Sequence, residues 1–234
     1  MRNGYRFLGL AALAALSLTA LAIRQGIVIK RVAKAGDVVK LRIKASFDAG
    51  GQDASFSGLI TQKVTKVTDS GEFTILSTTS DTKVDIGGNE QASDQSDQSE
   101  TTVYKETGEV VSTTGTVSDP DMMRRANLQT IRFPATPIQA GDTWTAETKK
   151  SNDGSVAAKA SYKVEAREAV GDFDTFRIHA STKETEGDDP STMEGTFWVD
   201  VKSGTLVKAD ATWTNAPLPG MPPLTLKYTL TREK

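Results

Sequence analysis

Residues 35–47 read AGDVVKLRIKASF, and no other stretch of the chain says more about its fold class. Apolar side chains alternate here with charged or polar ones; the apolar members are Val39, Leu41, Ile43, Ala45 and Phe47. A period of two predicts a β-strand with one apolar face and one solvated face, as in antiparallel sheets. The same alternation returns at residues 160–166, 176–180, 207–213 and 224–230.

Residues that favour tight turns separate these alternating stretches. They are rich in Gly, Asp, Asn and Ser and lie at residues 48–51, 69–71, 107–108, 152–154 and 203–204. Such residues tolerate the backbone angles of hairpin turns. The sequence therefore predicts an all-β, mainly antiparallel protein of about ten to twelve strands.

The strand pattern occurs twice. The triplet Ala-Gly-Asp opens a strand at residues 35–37 and again at residues 140–142. In the same order, FTILSTT at residues 73–79 aligns with FRIHAST at residues 176–182. Self-similarity of this kind predicts a duplicated unit whose length changes fall in the loops.

A connector at residues 119–139 separates the two predicted repeats, residues 23–118 and 140–234. Asp119 is expected to cap a short helix that begins with Pro120. The apolar residues of this helix are Met122, Met123, Ala126 and Leu128. A sheet with one apolar face per strand and a single helix must curl to bury both. We therefore expect one joint domain, a curved sheet or half-open barrel with the helix at its mouth.

The N-terminal residues have the composition of an export signal. Residues 1–22 combine two arginines, an apolar run over residues 7–21 and small residues before a cut behind Ala22. This favours a cleaved signal peptide and a periplasmic or extracellular protein; the alternative is an uncleaved membrane anchor. After signal removal no later segment has the length and hydropathy of a membrane span.

Composition excludes several classes of chemistry. The chain has no cysteine, so it forms no disulfide and carries no lipidated cysteine. Its net charge is −2 and its lysines and arginines are not clustered, which argues against a nucleic-acid partner. We expect no catalytic residue, no cofactor and no metal; the one histidine, His179, shares an outward face with Arg177 and Ser181.

Two acidic stretches are the main candidates for a cation site. They are residues 89–100 and 184–189. Asp94, Asp97 and Glu100 recur every three residues, which differs from the ligand spacing of an EF-hand loop. Both stretches are expected to be solvated and metal-free, and residues 87–100 to be mobile.

Two further segments carry a weak family resemblance. Residues 133–144 (FPATPIQAGDTW) and residues 197–209 (FWVDVKSGTLVKA) resemble bacterial exported proteins without an assigned function. More distantly they resemble the LolA/LolB-like lipoprotein-carrier superfamily. The resemblance implies an exported, half-barrel-like β protein with an apolar cavity, and it implies no catalytic residue. The duplicated N-terminal half departs from the lipoprotein carriers.

The candidate ligand-binding residues lie in the connector and in a proline-rich loop at residues 215–223. Met122 and Met123 on one side and Leu218 and Met221 on the other are expected to line an entrance. The ligand would be an apolar small molecule, a lipid or a lipoprotein. The first functional hypothesis is thus an exported, non-enzymatic binding protein with a lipid or other apolar ligand in a curved cleft. The alternative is a structural or protein-interaction module of the cell envelope with a filled core.

The signal prediction has a direct test. We expect the mature protein to begin at Ile23, because Ala20 and Ala22 are the small residues that signal peptidase requires. N-terminal sequencing of the exported fraction should find this end. Recovery of the Met1 end from membranes would instead identify an anchor.

Overall fold

The computed structural model describes residues 26–92, 99–116, 119–219 and 221–234. The predicted signal peptide and the loop carboxylates Asp94 and Asp97 lie outside the described residues. The first half of the chain forms β1 (Val38–Asp48), β2 (Asp53–Val67), β3 (Phe73–Ile86), β4 (Asn89–Ala92), β5 (Ser99–Tyr104) and β6 (Val110–Gly115). The helix α1 (Met122–Gln129) follows. The second half forms β7 (Thr143–Thr148), β8 (Ala158–Val170), β9 (Phe173–Glu184), β10 (Thr192–Asp200), β11 (Leu206–Ala216) and β12 (Leu224–Arg232).

All these strands belong to one open antiparallel sheet in the order β6-β5-β3-β2-β1-β12-β11-β10-β9-β8-β7, with β4 paired to β3. The chain starts near the centre at β1, moves outward to the edge strand β6, crosses to the opposite edge at β7 and returns to the centre at β12. The first and last strands pair from Leu41 opposite Arg232 to Phe47 opposite Leu226. The predicted curved, mainly antiparallel sheet with one helix is confirmed, whereas the duplication stays a prediction.

Small residues on the inner face let neighbouring strands of the curved sheet approach each other closely. One registered row crosses eight strands on the inner face and consists of Tyr162, Ala180, Gly195, Ala211, Tyr228, Ala45, Phe56 and Val84. At Gly195 an added Cβ would overlap the Ala211 Cβ and would lie 2.5 Å from the carbonyl oxygen of Asp210. The close approach of β10 and β11 therefore depends on a residue without a side chain.

The main apolar core lies on the inner face of the second half. Its largest fully buried side chains are Trp213, Leu128, Ile178, Met193 and Val164. Segments outside the strands also reach this core, among them Ile29 from the N-terminal segment, Leu128 from α1 and Ile138 from the connector. The interior of the second half is thus filled by its own strands together with the start of the chain, β1, α1 and the connector.

The helix begins later than the sequence predicts. Asp121, rather than Asp119, is the N-cap residue of α1, and its side chain makes no capping hydrogen bond. Asp119 lies two residues before this N-cap. Its Oδ1 accepts the backbone N–H of Asp121 at 2.9 Å, and its carboxylate pairs with Arg125. Pro120 therefore lies in a turn before the helix and not at its first position.

Replacement of Gly195 tests how far the fold depends on the close approach of β10 and β11. We expect Gly195→Ala to lower the free energy of unfolding by about 1–3 kcal/mol or more, because backbone atoms of β11 must move. Gly58→Ala on β2 is the matched control, since its Cβ would meet only side-chain atoms, all at 3.3 Å. Urea unfolding of both variants makes the comparison, and equal losses would contradict the explanation.

Candidate binding groove

The inner face of the sheet is packed differently in the two halves. On β8 to β12 most inward side chains are buried; Val164, Ile178 and Ala209 have no exposed surface. On β1, β2, β3 and β5 several inward side chains in the middle of the sheet are only half-buried, although Leu41 and Thr102 among them are buried. We call this area the inner groove; its residues are Ile43, Ile60, Gln62, Ser77, Thr79 and Glu100. The same curved face is closed in one half and accessible in the other.

Strand register brings the polar side chains of the inner groove together. Gln62 on β2 lies opposite Ser77 on β3, and Ser77 lies opposite Glu100 on β5. Beside this row, Ile60 pairs with Thr79, so that apolar and polar side chains adjoin. The prediction that every strand has an apolar inner face is therefore wrong for this part of the sheet.

Glu100 is the charged residue of the inner groove. Its Oε1 accepts hydrogen bonds from the hydroxyl groups of Thr102 at 2.9 Å and Thr113 at 3.1 Å. Within the described ranges no basic side chain lies at ion-pair distance from it. Glu100 closes the acidic stretch 89–100 and belongs to β5, where two threonines hold its carboxylate in one orientation. The carboxylate can therefore accept a hydrogen bond from a ligand.

The two methionines of α1 occupy different environments. Met122 lies over Gly115 on β6, with its Cε 2.6 Å from where a Cβ of Gly115 would stand. Gly115 is paired with Glu100, so Met122 borders the inner groove. Met123 packs instead into a small buried cluster with Val110 and Ala126, and it does not line an entrance.

The proline-rich loop lies on the other side of the helix. Leu218 packs against the core of the second half, whereas the Met221 side chain is exposed. The Arg125 guanidinium donates to the Pro217 carbonyl oxygen at 3.2 Å, which joins α1 to this loop. The structure therefore separates the four predicted ligand residues, and of them Met122 borders the inner groove.

A buried ion pair that the sequence analysis missed ties α1 to the second half. The Arg124 guanidinium donates from Nε and Nη2 to the two oxygens of Glu184, at 2.6 and 2.7 Å. Glu184 also accepts the Ser191 backbone N–H at 2.6 Å, and its side chain is 1% exposed. These hydrogen bonds raise the pKa of Arg124 above its usual value. The prediction that stretch 184–189 is solvated is wrong at Glu184.

The remaining candidate features are on the surface. His179 is partly exposed on the outer face with its Nε2 3.4 Å from Glu194, which confirms its predicted position. No cluster of three or more metal-ligating side chains occurs in the part of the chain that the structure describes. In that same part no helix has the length and apolar character needed to cross a bilayer.

Two clefts lie away from the inner groove. One, of about 470 Å³, is lined by Lys159, Lys183, residues 184–187 and Pro190. The other, of about 490 Å³, lies between Ile27, Ile138 and the Arg167–Asp174 pair. In each cleft a carboxylate already forms an ion pair within the protein: Glu184 pairs with Arg124, and Asp174 pairs with Arg167. The inner groove offers a carboxylate with no such partner, and we regard it as the better candidate.

Comparison with known proteins gives a fold likeness alone. No family model matches the chain, and no curated protein matches it. A crystal structure of a hypothetical lipoprotein, YmcC from Escherichia coli, aligns over 87% of this chain and 90% of its own, with 14% identity and a TM-score of 0.34. A crystal structure described as a putative lipoprotein from Parabacteroides distasonis aligns over 89% of this chain and 98% of its own, with 12% identity and a TM-score of 0.35. So distant a likeness carries no argument about the activity, ligand or location of this chain.

The Arg124–Glu184 pair makes a specific energetic prediction. We expect Glu184→Gln to lower the free energy of unfolding by about 3–5 kcal/mol, because it removes the buried counter-charge of Arg124 and leaves it only the more exposed Asp121. Asp174→Asn removes the partner of Arg167 at an exposed pair and should cost less than about 1 kcal/mol. Chemical denaturation of both variants measures the difference, and similar losses would show that the pair does not fasten the helix.

Proposed function

We propose that the protein is an exported, non-enzymatic binding protein that holds a small amphiphilic molecule in the inner groove. The observation that carries the proposal is the contrast between the two halves of one curved face. Side chains fill this face on β8 to β12, whereas from β1 to β5 a half-buried surface stays accessible. Concave surfaces with apolar walls and a few converging polar groups are where small ligands bind.

The side chains of the inner groove define the class of ligand. Ile43 and Ile60 offer apolar surface, and burial of an alkyl group there contributes about 25 cal/mol per Å² of area removed from water. The row of Gln62, Ser77 and Glu100 offers hydrogen-bonding groups beside it. A molecule with a short apolar part and a polar group that donates hydrogen bonds satisfies both surfaces.

The chemistry of the groove supports binding rather than catalysis. Its one ionisable side chain among the described residues is Glu100, whose Oε1 already accepts two threonine hydroxyl groups. General acid–base catalysis requires a group that is free to exchange a proton with the substrate. The export part of the proposal rests on residues 1–22, which have the composition of a signal peptide.

A structural or protein-interaction module is the second candidate, and the filled second half favours it. Trp213, for example, is fully buried, and its indole N–H donates to Ser191 Oγ at 2.6 Å. A core of this kind supports a fold without holding a ligand. The two candidate functions differ in what they require of the first half of the sheet. A binding protein needs a ligand site there, whereas a structural module does not.

Tryptophan substitution on β3 tests the binding function. Thr79 faces the inner groove, whereas its neighbour Thr78 is exposed on the other face. We expect the wild type to bind the neutral amphiphile N-phenyl-naphthylamine, and Thr79→Trp to weaken this binding about tenfold or more because the indole occupies the groove. Thr78→Trp should bind like the wild type.

Fluorescence titration gives the affinities, and thermal unfolding checks that each variant is folded. Native mass spectrometry of the protein from the exported fraction, followed by organic extraction, identifies any natural ligand. Equal binding by the two tryptophan variants, or no binding by the wild type below about 100 μM, would favour the structural module.

A further inference from the structure

An N-terminal strap crosses one end of the curved sheet. We use this name for residues 26–34, which precede β1. Its backbone pairs with Ile138, donates from Arg31 N–H to the Glu106 carbonyl at 2.8 Å and donates from Val32 N–H to the Ser203 carbonyl at 2.9 Å. The strap thus spans from the β5–β6 turn to the β10–β11 turn and holds Arg31 between them.

The Arg31 guanidinium has no counter-charge. Its Cζ lies 5.5 Å from the centre of the Phe73 ring, and the residue is half-buried. In the described part of the chain it forms no ion pair and its guanidinium donates no hydrogen bond. The carboxylate of Glu106, beside the strap, is bound by Lys30 at 3.0 Å instead.

A second arginine at the same end is in the same situation. The Arg232 guanidinium lies 4.6 Å from the centre of the Phe173 ring and donates to Thr205 Oγ1 at 3.0 Å. Among the described residues no carboxylate pairs with it. Thr205 follows the turn residue Ser203 that binds the strap, so both arginines lie at the same end of the sheet. Burial lowers the pKa of Arg31; Tyr104 partly opposes this, and the charge of Arg232 adds a smaller lowering.

Other arginines of the protein have the carboxylate partner that Arg31 and Arg232 lack among the described residues. Arg42, Arg124 and Arg177 each bind at least one carboxylate. A guanidinium partly withdrawn from water is unfavourable unless an opposite charge compensates it, and a second positive charge nearby adds repulsion. Stacking on an aromatic ring offsets only part of this cost.

We propose that Arg31 and Arg232 form a binding site for a phosphate group at the end of the sheet that the strap covers. Two guanidinium groups match the charge of a phosphate dianion, and their planar donors suit its oxygens. Both residues are only partly buried, so each keeps some contact with solvent. The site involves none of the residues of the inner groove, so its test does not depend on the proposed function.

Calorimetric titration with inorganic phosphate tests the site. We expect wild-type protein to bind phosphate with a dissociation constant below about 1 mM, and Arg31→Gln and Arg232→Gln each to weaken it about tenfold or more. Arg177→Gln is the matched control, because it removes the same charge from the outer face of β9, and it should leave phosphate binding unchanged. Arg31→Lys keeps the charge without the planar donors and should bind with intermediate affinity.

Two further measurements make the result decisive. Phosphate should raise the melting temperature of the wild type and not that of Arg31→Gln, and Arg31→Lys serves in its place if the glutamine variant does not fold. Titration with monododecyl phosphate separates a lipid-like phosphate from the free ion: tighter binding identifies a head group as the ligand, and equal binding identifies the ion. No phosphate binding below about 10 mM, or an equal loss in Arg177→Gln, would overturn the proposal.

Discussion

The pairing of β1 with β12 is the interaction on which the rest of the architecture depends. It joins the first and last described strands, from Leu41 opposite Arg232 to Phe47 opposite Leu226, and so makes one sheet of two half-chains. Without it the sheet would split and expose two new edges, each with unpaired backbone groups. A shift of one residue would turn the inward side chains of one half outward, so this register also decides which residues share the interior.

Joining the halves at the centre places the two free edges, β6 and β7, at opposite ends of the sheet. The connector must cross between them, and α1 lies on that crossing. Its apolar residues pack against β6 through Met123 and Val110, while Arg124 binds Glu184 of β9. One short helix thus covers the opening of the curved sheet with an apolar contact on one side and a buried ion pair on the other.

Local pattern predicted the strands and turns, because alternation and turn residues act over a few positions. It did not predict the burial of Glu184, since the partner, Arg124, lies 60 residues earlier in the chain. It also missed the polar inner face of β5, where Glu100 and Thr102 alternate without the apolar residues that mark an inward face. The helix α1 begins later than the sequence pattern predicted, because Asp119 pairs with Arg125 instead of capping the helix.

The polar inner groove is hard to explain by stability alone. Apolar residues at Gln62, Ser77 and Thr79 would gain about 0.8 kcal/mol for each buried CH₂ group, and the second half shows that this fold accepts such packing. Glu100 adds a carboxylate that is withdrawn from water without a basic partner among the described residues, which is costly. A protein selected only as a scaffold has no use for this arrangement. A groove of this kind is what the proposed ligand site requires, and the second half supplies the packed core that holds its shape.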